Sequence, residues 1–529
     1  MKRQIIITII LLIITAFITV SYFKNLNPPE IRTSKIMRTI PGNAPLIFEF
    51  NNDKSFYDIF NDNKLLAAVT GRQKLSELDT LRKLLLLNPF VSKYFTGQNI
   101  FVSLHPSLKK DIDLLLTMSC TSGFEPSILY QLIRQPNSGL LVTPIREGGK
   151  HGFNIYINTL KKRFYLIIKE DNVVSGSFSK ELIEQSATYI NKNDTPGFVL
   201  LSQQQNVNSL ANLYINYKQL FNLFNVIFKN SDIDILKNLP LLPGSAALSL
   251  NYRSDALMFN GLTNIRPNEA TGYLNLFSNQ HPVTNHLKDI FPSTTASGIN
   301  FAVSDPIEFE TNLFQLQVKT GSNKAKDLLF NKIKAETGIS LKTEFNNLLG
   351  NEFAVITTRY FEKYAIISIN DGSKLKLLMT AACTMANENM GQLNYDKVPF
   401  YLLGDAYNIF KRPYFIIIDN YLILANSPGE LNSYYDVYFN RKFLSKNEQY
   451  NQFDNLLSDK SNITFFFNFK NSQEILKQDL YPSFYNTFIT NKPGWQDFYA
   501  ASLQLSASDK SLYTSFSMRL NTDTFKVKQ

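Results

Sequence analysis

Four histidines and two cysteines are the residues of this chain best suited to hold a metal or attack a substrate. His105, His151, His281 and His286 contain no HExxH signature, which sets two imidazoles one helical turn apart with a glutamate between them. His281 and His286 stand five apart around Pro282 and cannot share a helical face, so they read as a surface loop rather than a zinc site. The serine cluster Ser175-Gly176-Ser177 lacks the flanking glycines of a nucleophile elbow. Gly321-Ser322-Asn323-Lys324 is the nearest approach to a phosphate cradle, but one glycine before a helix reads as a cap. Asp111 and Asp113, two apart on a strand, share its solvent face and do not form an acid/base pair. These residues predict no catalytic group, no cofactor and no metal.

Aromatic residues are the better lead to a ligand. Tyr434, Tyr435, Tyr438, Phe439 and Phe443 recur at helical spacing, and Tyr481, Phe484, Tyr485 and Phe488 do so again. Core packing explains most such arrays, and an exposed aromatic groove for a peptide, glycan or lipid is the alternative. Trp495 is the single tryptophan, and its counterpart near Ser245 in the first half is small. Trp495, Tyr434, Tyr438 and Tyr485 are therefore the candidate contacts.

The elements that would position such contacts follow a stretch of a different kind. Ile5 to Phe23 carries no charge and comes after Lys2 and Arg3. Roughly 20 apolar residues span a bilayer, whereas a cleaved signal carries about 7 to 15, so an uncleaved anchor is expected and a cleaved signal is its alternative. Lys24, Arg32, Lys35 and Arg38 on the far side leave the charge rule undecided; the short basic tail favours an extracytoplasmic body. A formal charge of +10 is modest over 529 residues, and Leu160-Lys161-Lys162-Arg163 is too small a basic block for a nucleic-acid surface. Two cysteines, Cys120 and Cys383, are too few for a disulfide framework and read as buried thiols, with a bridge between them left open.

Beyond the anchor the order of elements returns about 250 residues later. Ile40-Pro41 before a strand is matched by Phe291-Pro292, Gly97 to Val102 by Gly350 to Val355, and Phe164 to Ile168 by Tyr414 to Ile418. Asp171-Asn172 is matched by Asp419-Asn420, Glu181-Leu182 by Glu430-Leu431, and Ile215 to Lys218 by Phe467 to Lys470. Pro243-Gly244 and Ser254-Asp255 likewise return as Pro493-Gly494 and Ser508-Asp509. Landmarks kept in one order at one separation predict a tandem duplication.

Consecutive strands joined by short turns, with single helices between, give an α+β class: two tandem repeats of mainly antiparallel sheet flanked by helices, after one transmembrane helix. The expected boundaries are a basic tail at 1–4, the anchor at 5–23, a juxtamembrane linker at 24–38, repeats at 39–266 and 282–521 around a linker at 267–281, and a tail at 522–529.

In layout the chain resembles the single-anchor bacterial envelope proteins grouped as domains of unknown function. The basic-apolar start, Ile40-Pro41-Gly42-Asn43-Ala44 and the repeated strand-Asn-strand-Ser-x-x-Glu-Leu block carry the resemblance. It implies no activity and no site residues. The expectation is a single-pass protein with its bulk on the periplasmic side of the inner membrane, acting as a non-catalytic binding or scaffold protein. Its partners would be the membrane, through the helix, and envelope proteins, lipid or glycan, with no nucleic acid. The alternatives are a carrier or chaperone of hydrophobic cargo and an unrecognised hydrolase.

Overall fold

A computed structural model describes residues 36–61, 64–107, 109–121, 124–132, 139–189, 209–229, 239–242, 244–265, 272–490, 494–508 and 511–521. The expected anchor at 5–23 and most of the linker after it lie outside these residues. Among the described residues no helix is long and apolar enough to cross a membrane.

The first half supplies ten strands: β1 (Leu46–Asn51), β2 (Asn99–Pro106), β3 (Ile112–Ser119), β4 (Leu140–Glu147), β5 (Lys150–Ile157), β6 (Lys162–Ile168), β7 (Val173–Ser177), β8 (Ala211–Asn216), β9 (Gly244–Tyr252) and β10 (Ala256–Ile265). After β11 (Val283–Thr284) come β12 (Thr295–Ala302), β13 (Leu349–Thr358), β14 (Lys363–Ile369), β15 (Cys383–Met385), β16 (Met390–Leu393), β17 (Tyr414–Ile418) and β18 (Tyr421–Ala425). The last are β19 (Lys460–Ser461), β20 (Ile463–Asn468), β21 (Phe498–Ser508) and β22 (Ser511–Leu520).

Twenty of these strands form one antiparallel sheet, and β11 pairs with β19 beside it. From one edge the first half runs β4, β5, β6, β7, β3, β2, β1, β8, β9, β10. The pairing of β10 with β22 carries the ladder across the middle. From the other edge the second half runs β15, β16, β17, β18, β14, β13, β12, β20, β21, β22, the same order of strands in the chain. The helices and the antiparallel sheet together make the fold α+β.

Local chemistry explains the matched landmarks. The β6–β7 and β17–β18 turns place Asn172 and Asp419 at φ values of 58° and 50°, a region that short amide and carboxylate side chains tolerate best among non-glycine residues. Each turn leads, through one strand, to a capped helix. Ser179 accepts from the Leu182 N–H ahead of helix Lys180–Thr188, and Ser427 forms a capping box with Glu430 ahead of helix Pro428–Phe439. Leu182 and Leu431 point from those helices into the sheet and are buried.

Alternation along the strands divides the sheet into two unlike faces. The inner face carries Leu248, Phe259, Leu505, Phe465, Ile299, Phe353 and Ile367, which join one hydrophobic cluster drawn from both halves. Helices cover it, among them Lys64–Thr70 and Tyr217–Ile227 from the first half and Leu341–Leu348 and Gly372–Ala382 from the second. At its centre the ring of Phe353 lies 5.2 Å from Phe309, 5.6 Å from Phe301 and 6.1 Å from Tyr407. Beside the middle ladder, β9 and β10 need close backbone approach. A Cβ on Gly261 of β10 would stand 2.0 Å from the Ala247 carbonyl oxygen, so only glycine fits there. Inner-face hydroxyls also bridge the ladder: Thr263 Oγ1 lies 2.6 Å from Thr514 Oγ1 and 3.0 Å from Tyr217 Oη.

The outer face is covered by helices at its flanks, and between them Ile36, Met37, Ile40 and Ala44 pack on Ile47, Phe101, Tyr214 and Ala247. Helix Lys180–Thr188 packs Leu182, Ile183 and Ala187 on Leu115 and Ile167. Helix Pro428–Phe439 and the segment after it pack Leu431, Tyr434 and Leu444 on Ile366, Ile416 and Ile423.

The two cysteines lie buried in different clusters and are free, so the bridge left open by the sequence does not form. Burial pushes both thiols up to about 12. Native protein at pH 8 is expected to resist iodoacetamide and to take up label at both positions only in denaturant, read by intact mass. Rapid labelling of the folded chain would contradict this burial.

Candidate functional site

Register brings together on the outer face residues that are scattered in sequence. Following cross-strand partners from β1, Glu49 faces Asn212, Asn212 faces Ser249, and Ser249 faces Asn260. Across the middle Asn260 faces Ser515, which faces Gln504, then Thr464 and Asn300. Eight neighbouring strands therefore present eight polar side chains in one transverse row. The two halves meet within it at Asn260 and Ser515. Counted inward from the two edges of the sheet, each of these lies on the tenth strand of its half.

Each end of the row closes on a buried carboxylate. Glu49 is 1% exposed and accepts from Tyr214 Oη at 2.7 Å, Asn99 Nδ2 at 2.7 Å and Asn212 Nδ2 at 3.4 Å. Burial, with the Glu49 charge beside it, holds the Tyr214 hydroxyl far above its ordinary range, so it keeps its proton and donates. In the second half the amide and the acid change places. Asn300 stands where β1 has Glu49, and Glu352 stands where β2 has Asn99. Asn300 Nδ2 donates to Glu352 at 3.4 Å. Glu352 also accepts from the backbone N–H groups of His286 and Leu287 at 2.9 and 3.1 Å, tying down the start of the turn Leu287–Ile290.

Coverage differs between the two ends. In the second half Asn285 Nδ2 donates to Ser461 Oγ at 2.6 Å and its Oδ1 accepts from Asn300, while Gln504 exchanges bonds with Ser458. That end is sealed. Among the described residues, the face from β9 to the middle ladder lies open as a trough of about 640 Å³. Ser249, Asn251, Asn260, Leu262 and Tyr513 line it, with Ser209, Leu210 and Tyr252 at its rim. Ser249 donates to Asn212 Oδ1 at 3.1 Å. The lining holds no carboxylate, imidazole or amine among the described residues.

The residues singled out in the sequence fall elsewhere. Tyr434 is fully buried on the outer-face flank, its hydroxyl donating to the Ile290 carbonyl at 3.2 Å, so it cannot meet a ligand. Tyr438 packs against Tyr434 and donates to Asp419 at 2.7 Å. Trp495 and Tyr485 belong to the inner-face side. Trp495 is half exposed, yet its indole N–H donates to the Val69 carbonyl of the first half at 2.7 Å, which makes it a tie between halves. The four candidates thus lie on opposite faces of the sheet and form no common groove.

The histidines are equally dispersed. His105 is buried between Ser103 Oγ and Asn43 Oδ1, each 2.8 Å from a ring nitrogen, and burial holds it down to about 3. Its neighbours resemble a nucleophilic triad in kind, but with His105 at 2% exposure and Ser103 at 0% no substrate reaches them. Its anchor Asn43 belongs to the Ile40–Ala44 stretch, which this contact docks against β2. Among the described residues no group of three His, Cys, Asp or Glu is placed to hold a metal ion. Gly321 has φ 75° and closes helix Pro306–Lys319. Lys162 of the basic block pairs with buried Glu77 at 2.6 Å.

The row escaped sequence reading because its members come from separate stretches, and only the pairing register aligns them. The one available signal was the run of Ser and Asn at alternate positions Ser245, Ser249 and Asn251 in a strand otherwise apolar.

No protein-family model and no curated protein matches this chain. Among solved structures, crystal form IV of TP0453 is similar at a TM-score of 0.24 and 11% identity over 43% of this chain and 80% of that one. Crystal form III of TP0453 gives 0.24 and 10% over 47% and 88%. Likeness at that level carries no argument about fold or activity.

Proposed function

We propose that the chain is a membrane-anchored, extracytoplasmic binding protein of the bacterial envelope, built by tandem duplication and without catalysis. Its ligand face is the open half of the polar row, and its ligand is an uncharged, hydroxyl-rich chain, a glycan. The carrying observation is that Ser249, Asn251 and Asn260 stand beside Tyr513 in a trough that no described residue covers, while both flanks of the same face are sealed. The carboxamides of Asn251 and Asn260 each offer two donors and an acceptor without charge. Asn251 lies opposite Met258 and Asn260 opposite Ser249, so the two carboxamides are diagonal neighbours about 7–8 Å apart, and tyrosine rings supply the flat apolar surface on which sugar rings stack. The duplication is supported by the strand order shared by the two halves and by the helix caps they have in common.

The alternatives find less support. A lipid carrier needs an apolar cavity of several hundred Å³, and among the described residues the apolar pocket lined by Phe345, Met379 and Leu402 has about 20 Å³. A hydrolase needs acid and base groups converging in a cleft, and the trough supplies none.

The test is binding of the detergent-solubilised full chain to an array of defined oligosaccharides. Asn251→Ala and Asn260→Ala are each expected to weaken a bound glycan about 5-fold, the worth of one or two hydrogen bonds. Retention of peptides but no glycan, or glycan binding indifferent to both substitutions, would sink the reading. Topology is tested separately: a reporter fused at Gln529 that works only in the cytoplasm overturns the extracytoplasmic placement.

A further inference from the structure

We infer that Ser249 is a specificity-determining acceptor, its polarity set by the buried carboxylate of Glu49 through Asn212, and that it selects a ligand presenting a hydroxyl donor at that point of the trough. The inference rests on the glycan reading of the site and goes further, because it names which chemical group the ligand must offer and where.

The argument is one of forced hydrogen-bond direction. A carboxylate accepts and cannot donate. Glu49 lies against the Asn212 carboxamide at 3.4 Å, so the amide must turn its Nδ2 toward the acid; the opposite rotamer would press Oδ1 against a buried anion with no water to screen it. Tyr214 Oη and Asn99 Nδ2 donate to the same carboxylate at 2.7 Å and hold it in place. With Nδ2 committed inward, Asn212 Oδ1 faces Ser249 and takes the serine proton at 3.1 Å. A hydroxyl has one proton. Ser249 Oγ therefore shows the trough only lone pairs, and a ligand atom there must be a donor.

The second half lacks this device. The residue equivalent to Ser249 is Gln504, whose carboxamide both accepts from and donates to Ser458, and Asn300 stands in place of Glu49. One side of the row is thus polarised toward the trough and the other is closed on itself, which gives a bound chain a single preferred direction.

The test uses cellotetraose and chitotetraose with their monodeoxy analogues. Wild-type protein is expected to bind one deoxy analogue about 5- to 10-fold more weakly than its parent. Ser249→Ala, a change at a partly open position that keeps the fold, should bind that analogue and the parent alike. Equal discrimination by wild type and Ser249→Ala overturns the inference while leaving the glycan reading standing. Failure of wild type to bind any saccharide overturns the glycan reading and, with it, the ligand named here. The fixed direction has its own readout in isotope-labelled asparagine side-chain amides. The Asn212 resonance, assigned with Asn212→Leu, should lie downfield and exchange slowly, and should lose both properties in Glu49→Gln. An Asn212 resonance that does not move in Glu49→Gln overturns the polarised chain whichever way the binding falls.

Discussion

Replacing Phe353 with alanine is expected to destabilise the protein by about 3–5 kcal/mol, the range for deleting a buried aromatic ring. Phe353 is fully buried and packs against four other aromatic rings that are themselves buried, so the void cannot close by one side chain swinging in. The informative part is where the loss is felt. The inner-face cluster runs through the middle ladder, from Phe56 and Leu65 to Phe345 and Leu422. Denaturant transitions followed by a dye on a cysteine introduced at the exposed Leu141 of β4 and by Trp495 fluorescence should therefore move together. Separate transitions, with only the second half affected, would mean that the halves are energetically independent despite the shared sheet.

The second large effect is one of acid. His105 has an ordinary imidazole pKa when unfolded and about 3 when buried. Between those values the unfolded chain binds a proton that the folded chain refuses, so stability rises with pH through this window and is lost as pH falls from about 6.5 toward 3. Above about 7 both states carry neutral imidazole and the residue contributes no slope. The loss at the acid end amounts to several kcal/mol. Urea midpoints of the wild type and His105→Asn, measured from pH 7 to 4, should diverge in slope, with the variant flatter. Parallel curves would place the acid sensitivity elsewhere. Because His105 bonds to Asn43, the first local event in acid should be release of the Ile40–Ala44 stretch from β2.

What the sequence disclosed and what it hid follow one physical division. Local devices were readable: the Ser179 and Ser427 caps, the Asn172 and Asp419 turns, and the alternating strands around them depend on residues a few positions apart. Leu78 to Leu87 place apolar residues at helical spacing, and the chain there loosens from an α-helix at Arg72–Leu81 into a π turn at Arg82–Leu86. Pro126, suited to a first helical turn, opens a helix with the tighter 3₁₀ winding. Non-local facts were not readable. Whether two repeats stand apart or share one sheet turns on whether β10 meets β22, and no residue of either strand announces it. The aromatic helix drew attention because its spacing is visible in one line of sequence, yet Tyr434 serves the core. The polar row has no spacing in sequence at all.

The β10–β22 ladder has a consequence for expression and inheritance of the chain. β10 ends one half and β22 ends the other, and each is ten residues long. Cut apart, each half would carry a long bare strand edge with an apolar inner face, the kind of edge that recruits further strands. Joined in one chain, each covers the other at an effective concentration that no dilution can lower. The halves are therefore not modules that can be cloned, swapped or lost one at a time: a truncation or frameshift after the first half leaves an aggregation-prone fragment rather than a smaller working protein.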